Sequence, residues 1–332
     1  MSRLRITRRT FVTASAATLV GGATGPLTGA LGQQPQGKPV QLILPVAAAS
    51  GVDTLVRAAQ NELSKAFAAP IVINNQPGAG GVIGTQQLVK SQPDGQTLSV
   101  ISINHVIYPS VLKSVPFDPI ADITPITTLV ATPLILVVNP NKISARTAQE
   151  LTALLNANPD KFHYGSSGNG TVLHLAGAMY VEQAGVKVTH VPYKGVGPLL
   201  TDLIGGQIDM AVIAYPSIIS HLKSGALRAI GVASSQRMAV SPDIATFAEQ
   251  GMPNMVVEGW SAAVGPPKLP AADVTRIHAA FTTAFKSAEV TDAIAKQASV
   301  LKIATPQQTL EFLKEELAKY ASITKKIGLE PQ

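Results

Sequence analysis

Three short stretches hold the residues whose types and spacing suit chemistry. Ser166-Ser167-Gly168-Asn169-Gly170-Thr171 leads into a helical pattern that contains His174. Glycines let a backbone approach a ligand closely and adopt positive φ. Unpaired amides at a helix start, reinforced by the helix dipole, form an anion site. Pro45 to Asp53, which includes Val46, Ala49 and Gly51, is a second run of small residues opening into a helix, with Ser50 and Asp53 spaced as an S-x-x-D capping box. Capping alone accounts for that pair, while the adjacent amides of Ser50 and Gly51 stay available to a ligand. The third stretch is Val191 to Gly197, where Pro198 suits a first helical turn and Lys194 is either a ligand cation or a solvated lysine. Helix starts lined by amides and hydroxyls, without a cluster of acids, point to capture of a small anion. A carboxylate held by backbone donors needs little net charge on the protein. A compound with carboxylates at both ends would use two such loops at once.

The same residues argue against catalysis. Ser166 lies in G-S-S-G and not in a G-x-S-x-G elbow. The six histidines are scattered without H-E-x-x-H or other metal-ligand spacing, and His174 reads first as a packed or hydrogen-bonding residue. The glycines of Gly78 to Gly84 do not spell a dinucleotide fingerprint. Gly32 to Lys38 spells G-x-x-x-x-G-K, but Pro39 follows it and no strand precedes it. The sequence therefore calls for no cofactor and no metal, and it shows no nucleophile–base pair. Zero cysteines exclude a disulfide, a thiolate zinc site, a catalytic thiol and a lipid-modified N-terminal cysteine. Aromatic residues at 5% are too few for a stacking platform on single-stranded nucleic acid.

The elements that must position these loops follow from periodicity. Short β-branched runs alternate with helical patterns: strand Val40 to Leu44, helix Val52 to Phe67, strand Ile71 to Asn74, helix about 81–90, strand Thr97 to Ile101. After a strand over Leu134 to Val138, a second set runs helix 147–157, strand 162–164, helix 171–184, strand 186–191, helix 197–204 and strand 208–213. Trp260 to Val264 leads back into a helix-rich segment, whose last helix starts at Thr305-Pro306 with Gln308 as capping partner. This is an α/β protein of two lobes, each a mainly parallel sheet flanked by helices. Residues 39–138 and 261–332 form lobe 1 and residues 139–260 form lobe 2, with the chain crossing over and returning. A cleft between lobes is the natural place for a ligand.

Residues 1–32 read as an export signal. Arg3, Arg5, Arg8 and Arg9 are their only charges, a short apolar run covers Phe11 to Val20, and small residues lead to Gly32. The adjacent Arg8-Arg9 matches a twin-arginine signal. Glycines from Gly21 onward interrupt the run well short of a membrane span. Residues 33–38 form a polar tether. Removing the four arginines takes the formal charge from +6 to +2, so a basic nucleic-acid footprint disappears with the signal. The expectation is a periplasmic protein, not lipid-anchored, and nothing demands more than a monomer.

From about Pro39 to Thr305 the chain resembles the Bug family of periplasmic solute receptors, which serve tripartite tricarboxylate transporters. The resemblance rests on ordered markers: Asn75 to Gly81, Pro93 to Leu98, Pro116 to Pro119, Thr132-Pro133 with Val137 to Pro140, Tyr164 through Leu175, Val191 to Gly195, Pro242-Asp243 with Thr246, Glu249 and Gly251, and the single Trp260. It implies a two-lobed receptor that closes like a flytrap on a small organic anion, a mono- or dicarboxylate, and delivers it to membrane permease subunits. It also implies that one carboxylate is held by the 46–53 loop, partly through water, and by the 166–171 loop. The chain departs from the family at Val46, where an aromatic is usual, and at Ala49-Ser50, where two glycines are usual. It departs again at Ile213-Ala214, an apolar pair that favours a less polar acid over an amino acid. A module presenting its ligand to a membrane sensor, and an exported enzyme, are the other readings. If the signal is correctly placed, deleting residues 1–32 leaves the protein in the cytoplasm, folded and competent to bind. Cell fractionation checks this, and periplasmic recovery of the truncated chain contradicts it.

Overall fold

The computed structural model describes residues 37–48 and 50–331. The export signal of residues 1–32, the tether up to residue 36 and Ala49 lie outside the described residues. β1 (Val40–Leu44), α1 (Gly51–Phe67) and β2 (Ile71–Asn75) are followed by a 3-10 turn at Gly78–Gly81, α2 (Val82–Val89), β3 (Thr97–Ser102) and α3 (Asn104–Val111). The long β4 (Thr124–Val138) leads to α4 (Ala148–Asn156), β5 (His163–Ser166), α5 (Val172–Ala184), β6 (Thr189–Pro192), α6 (Val196–Ile204) and β7 (Met210–Ala214). Next come α7 (Ile219–Lys223), β8 (Arg228–Val232), β9 (Glu258–Gly265), α8 (Ala271–Phe285), α9 (Ala288–Lys296), β10 (Val300–Leu301) and α10 (Pro306–Lys326).

Local pattern explains much of this. In α1, Leu55, Val56, Ala59 and Leu63 recur at helical spacing and are buried. Burying each large apolar side chain stabilises by about 1.5–3 kcal/mol, against about 1 kcal/mol for a cap, so packing decides the helix and the cap sets where it begins. Thr305, Pro306 and Gln308 form the expected capping box at the start of α10. Several family markers are structural staples. Asn139 donates from Nδ2 to the Leu203 and Ile204 carbonyls, tying the end of β4 to the last turn of α6. Asp118 accepts the Ile120 and Ala121 amides, and Phe117 stacks at 5.8 Å on buried His105. Burial pushes the His105 imidazole down to about 4.

The strands run in the order β2-β1-β3-β9-β4-β7-β5-β6, with β8 and β10 also on β4. The flanking trios are parallel, β2-β1-β3 and β7-β5-β6, as the α/β alternation predicts. Between them, β9 and β4 run antiparallel to their neighbours. From Thr124 to Pro133, β4 pairs with β9; from Leu134 to Val138 it pairs with β7 and β8. Sequence pattern finds only the second half of β4, because Thr124 to Pro133 mixes threonines with two prolines. Those threonines are nevertheless satisfied inside: Thr124 Oγ1 donates to the Pro266 carbonyl and Thr127 Oγ1 to the Thr128 carbonyl, both at 2.7 Å, and the Thr128 hydroxyl reaches the Lys302 carbonyl. The register shifts beside Pro125, which has no amide to give the ladder.

Two cores result. One fills the space among β1, β3, the first half of β4, α1 and α8, with Leu42, Leu44, Leu63, Val100, Ile126, Phe281 and Phe285. The larger surrounds the second half of β4, with Leu136, Leu151, Tyr164, Tyr180, Leu203, Val212 and Phe247. It continues to Val106 of α3 and to Leu313 and Tyr320 of α10. All described residues belong to one compact unit.

Candidate functional site

The 46–53 loop follows β1 and is pinned from behind. Ser50 caps α1 by accepting the Asp53 amide at 3.3 Å. The Asp53 carboxylate is 2% exposed and takes the Arg57 Nε at 2.9 and 3.0 Å and the Asn75 Nδ2 at 2.9 Å. Asn75, at the end of β2, also donates to the Val46 carbonyl at 3.3 Å and accepts Arg57 Nη2 at 2.8 Å. Asp53 therefore braces the loop through Arg57 and Asn75. Val46 is half-buried and packs on the core beside α1, whereas Gly51 is exposed. The Gly51 and Val52 amides have no protein acceptor among the described residues.

The 166–171 loop follows β5 and is more tightly knit. Thr171 caps α5, accepting the His174 amide at 3.4 Å and donating to the Gly168 carbonyl at 2.8 Å. Gly168 and Gly170 take φ of +132° and +71°, which a side chain would resist. Ser166 is fully buried, and its hydroxyl contacts the Gly168 amide and carbonyl and lies 2.7 Å from His190 Nε2. The Gly170 amide donates to His174 Nδ1 at 3.1 Å, and Ser167 Oγ to Thr171 Oγ1 at 3.2 Å. Asn169 is exposed, and the Val172 and Leu173 amides have no protein acceptor among the described residues.

One helix brings the two loops to the same place. A Cβ on Gly81 would stand 2.6 Å from the Pro45 carbonyl oxygen and would collide with the Tyr108 hydroxyl. A Cβ on Gly170 would stand 2.9 Å from Val111 Cβ. Tyr108 and Val111 are three residues apart on α3, about 4.5 Å along its axis and on one face. Pro45, at the head of the first loop, and Gly170 of the second thus both lie close to the same turn of α3. Cavities of 830, 770 and 640 Å3 lie elsewhere, lined among others by Arg146 and Lys296, by Glu182 and Lys326, and by Glu258 and Trp260. None of the three is lined by residues 46–53 or 166–174.

His190 and Val111 escaped sequence reasoning. His190, His174 and Tyr164 form a stack in which the imidazole centroids are 3.9 Å apart at 6°, with Tyr164 4.8 Å from His190. Tyr164 and His190 are register partners across β5 and β6, which puts both on one face, and Gly177 opens the surface of α5 to the Tyr164 ring. Such pairing is visible only once the strands are aligned. Burial and the neighbouring His174 lower His190 to about 4, and burial lowers His174. Val111 carried no chemical signal at all. At the end of β7, Ile213 is fully buried and Ala214 is partly exposed.

The Ser166–His190 contact is a serine–imidazole pair that the sequence did not reveal. It lacks the setting of a nucleophile: Ser166 is buried and engaged by Gly168, and among the described residues His190 makes no hydrogen bond to a carboxylate. Among the described residues no group of three or more metal-ligating side chains gathers, and no helix is long and apolar enough to cross a membrane.

Solved structures place this architecture in the two-lobed class of periplasmic binding proteins: periplasmic binding protein BugD superposes with a TM-score of 0.76 at 26% identity, over 89% of this chain and 99% of that one. Residues 55–329 match the tripartite tricarboxylate transporter family receptor, and the chain belongs to that family, a family of solute receptors and not of enzymes. Protein BugT of Bordetella pertussis is 31% identical over 293 residues, 88% of this chain and 90% of that protein. An R. palustris protein with adipate superposes with a TM-score of 0.78 at 25% identity, over 89% and 99% of the two chains. MatC from Rhodopseudomonas palustris with bound malate gives 0.73 at 25%, over 86% and 99%.

If Asp53 is the brace of the first loop, Asp53→Ala lowers unfolding stability by about 1–3 kcal/mol, the range for hydrogen bonds to a charged group. Denaturant titration checks this; a loss below about 0.5 kcal/mol, the scale of ordinary surface changes, contradicts it.

Proposed function

We propose that this chain is an exported receptor that captures a small organic carboxylate between the 46–53 and 166–171 loops and delivers it to the permease subunits of a tripartite tricarboxylate transporter. The observation that carries this reading is that the head of the 46–53 loop at Pro45 and Gly170 of the 166–171 loop lie close to one turn of α3, each loop opening into a helix. Their unpaired amides at Gly51, Val52, Val172 and Leu173 offer donors with the dipole sign that favours an anion. Family membership and the adipate- and malate-bound neighbours support the choice of carboxylate. Gly51, Ser50, Gly168, Asn169, Gly170 and Thr171 form the contact set in this reading. Val46 and Ala49 shape the approach, while Asp53, Ser166 and His174 hold the loops.

The lobes of this receptor are residues 39–138 with 261–332, and residues 139–260. The change of partner along β4 and the return through β9 support two such lobes, with the changeover at Pro133, five residues before that boundary. A ligand touching both loops has more contacts when the lobes close, so it shifts the population toward the closed form. The twin-arginine signal delivers the chain to the periplasm, where it acts as a monomer without a lipid anchor.

A thermal-shift screen of the chain from residue 33 onward, against adipate, malate, succinate, benzoate and aspartate, tests the reading. An acid at a hundredfold over its Kd stabilises the fold by about 2.7 kcal/mol. A shift confined to one acid class is the expected result. No shift with any acid, together with no acid in the supernatant of denatured protein, overturns it.

A further inference from the structure

We propose that the stacked His174–His190 pair is the positioning element of the 166–171 loop: the neutral imidazoles hold Gly170 and Ser166 in place, and protonation of the pair releases the loop and weakens ligand binding. The inference rests on the carboxylate-receptor reading for its effect on affinity, but not for its effect on the loop.

The geometry is specific about protons. The Gly170 amide is a donor, so His174 Nδ1 must be bare to accept it, which puts the hydrogen of the neutral ring on Nε2. A proton on Nδ1 sets donor against donor at 3.1 Å and frees an amide that holds a residue at φ +71°. The neighbouring ring feels the same event, because parallel imidazoles 3.9 Å apart cannot both carry charge cheaply. His190 in turn contacts Ser166 Oγ, which shapes Gly168 through its amide and carbonyl. Protonation of His174 therefore acts directly on Gly170, and the His190 ring stacked on it links the same event to Ser166 and Gly168.

The surroundings offer nothing to stabilise a cation. On β5 the group stacked against both rings is Tyr164, whose phenol burial pushes up and keeps neutral. From α3, Val111 faces the loop, and from α6, Leu199 faces Gly165 beside it; neither carries charge. Tyr193, after β6, has its hydroxyl on Asp202. No carboxylate or ammonium contributes to either imidazole's shift, and burial leads for both. The sign follows: the folded protein resists protonating the pair more than the unfolded chain does, so acid opposes the ordered loop, increasingly as pH falls through and below the ordinary histidine range.

Two measurements test the proposal. In the first, needing no ligand, 15N-labelled protein is titrated from about pH 8 to about pH 4, spanning the normal histidine range. The expected result is the Nε2–H tautomer for His174, titration of both rings well below the normal midpoint, and Gly168 and Gly170 amide shifts that follow the same curve. An Nδ1–H tautomer, an ordinary midpoint or amides indifferent to the titration overturns it. In the second, the tightest-binding acid of the adipate, malate, succinate and benzoate panel is titrated at each pH by calorimetry into wild type, His174→Asn and His174→Ala. Asn keeps an acceptor where Nδ1 stood and does not titrate. The wild-type Kd should rise more steeply than that of His174→Asn as the pH falls through the midpoint found in the first measurement, by about tenfold more one pH unit below it. His174→Asn should also bind more tightly than His174→Ala at neutral pH. Parallel pH profiles, or equal weakening in both variants, overturn the positioning role. If no acid of the panel binds, the receptor reading fails in the screen above, while the first measurement still decides the state of the loop.

Discussion

Backbone amides and carbonyls must be paired when buried, and in this chain one fifteen-residue strand meets that demand for two sheets at once. β4 is buried from Ile126 onward except at Thr132, and it gives its first ten residues to β9 and its last five to β7 and β8. Pro133 stands where the partner changes, a position at which a missing amide costs no ladder bond on either side. Because the two parallel trios hang on the same antiparallel centre, the carboxyl ends of β1 and β5 are fixed relative to α3, which follows β3. The loops leaving those ends are the ones that start α1 and α5.

What this arrangement offers a ligand is mostly polar backbone. The cation closest to the first loop, Arg57, is already held by Asp53 and Asn75, and the second loop has imidazoles kept neutral by burial. Attraction for an anion then comes from oriented amides and two helix dipoles, which need no compensating acid when the site is empty. Positive φ at Gly168 and Gly170 turns those amides as the loop requires. The loop is stiff because Ser166, Thr171, His174 and His190 close hydrogen bonds on it. A donor set built this way is specific in position and weak in charge, as suits a receptor that must release what it binds.

Features governed by local interactions were legible in the sequence. Ser50 and Thr305 cap the helices they were expected to cap, and strand β1 runs from Val40 to Leu44 as its β-branched pattern indicates. The glycine-rich loops were also legible as loops before helices, since positive φ and capping are properties of adjacent residues. Contacts between distant segments were not. His190 joins the site only through its register with Tyr164 and its stacking on α5, and Val111 only because α3 is packed against Gly170. The burial of Ser166 and Ile213 was hidden for the same reason: both stand at strand ends, and neighbouring strands cover them. The first half of β4 was hidden by threonines and prolines whose polar groups find partners across the fold.

In the proposed receptor the 46–53 and 166–171 loops, both close to α3, hold one acid between them. A crystal structure of the chain with the acid that binds it most tightly tests that claim most directly. The account predicts carboxylate oxygens within about 3 Å of the Gly51 or Val52 amide on one side and of the 168–173 amides on the other, directly or through one water. An acid seated instead in the cavity of Arg146 and Lys296, or in that of Glu258 and Trp260, contradicts it.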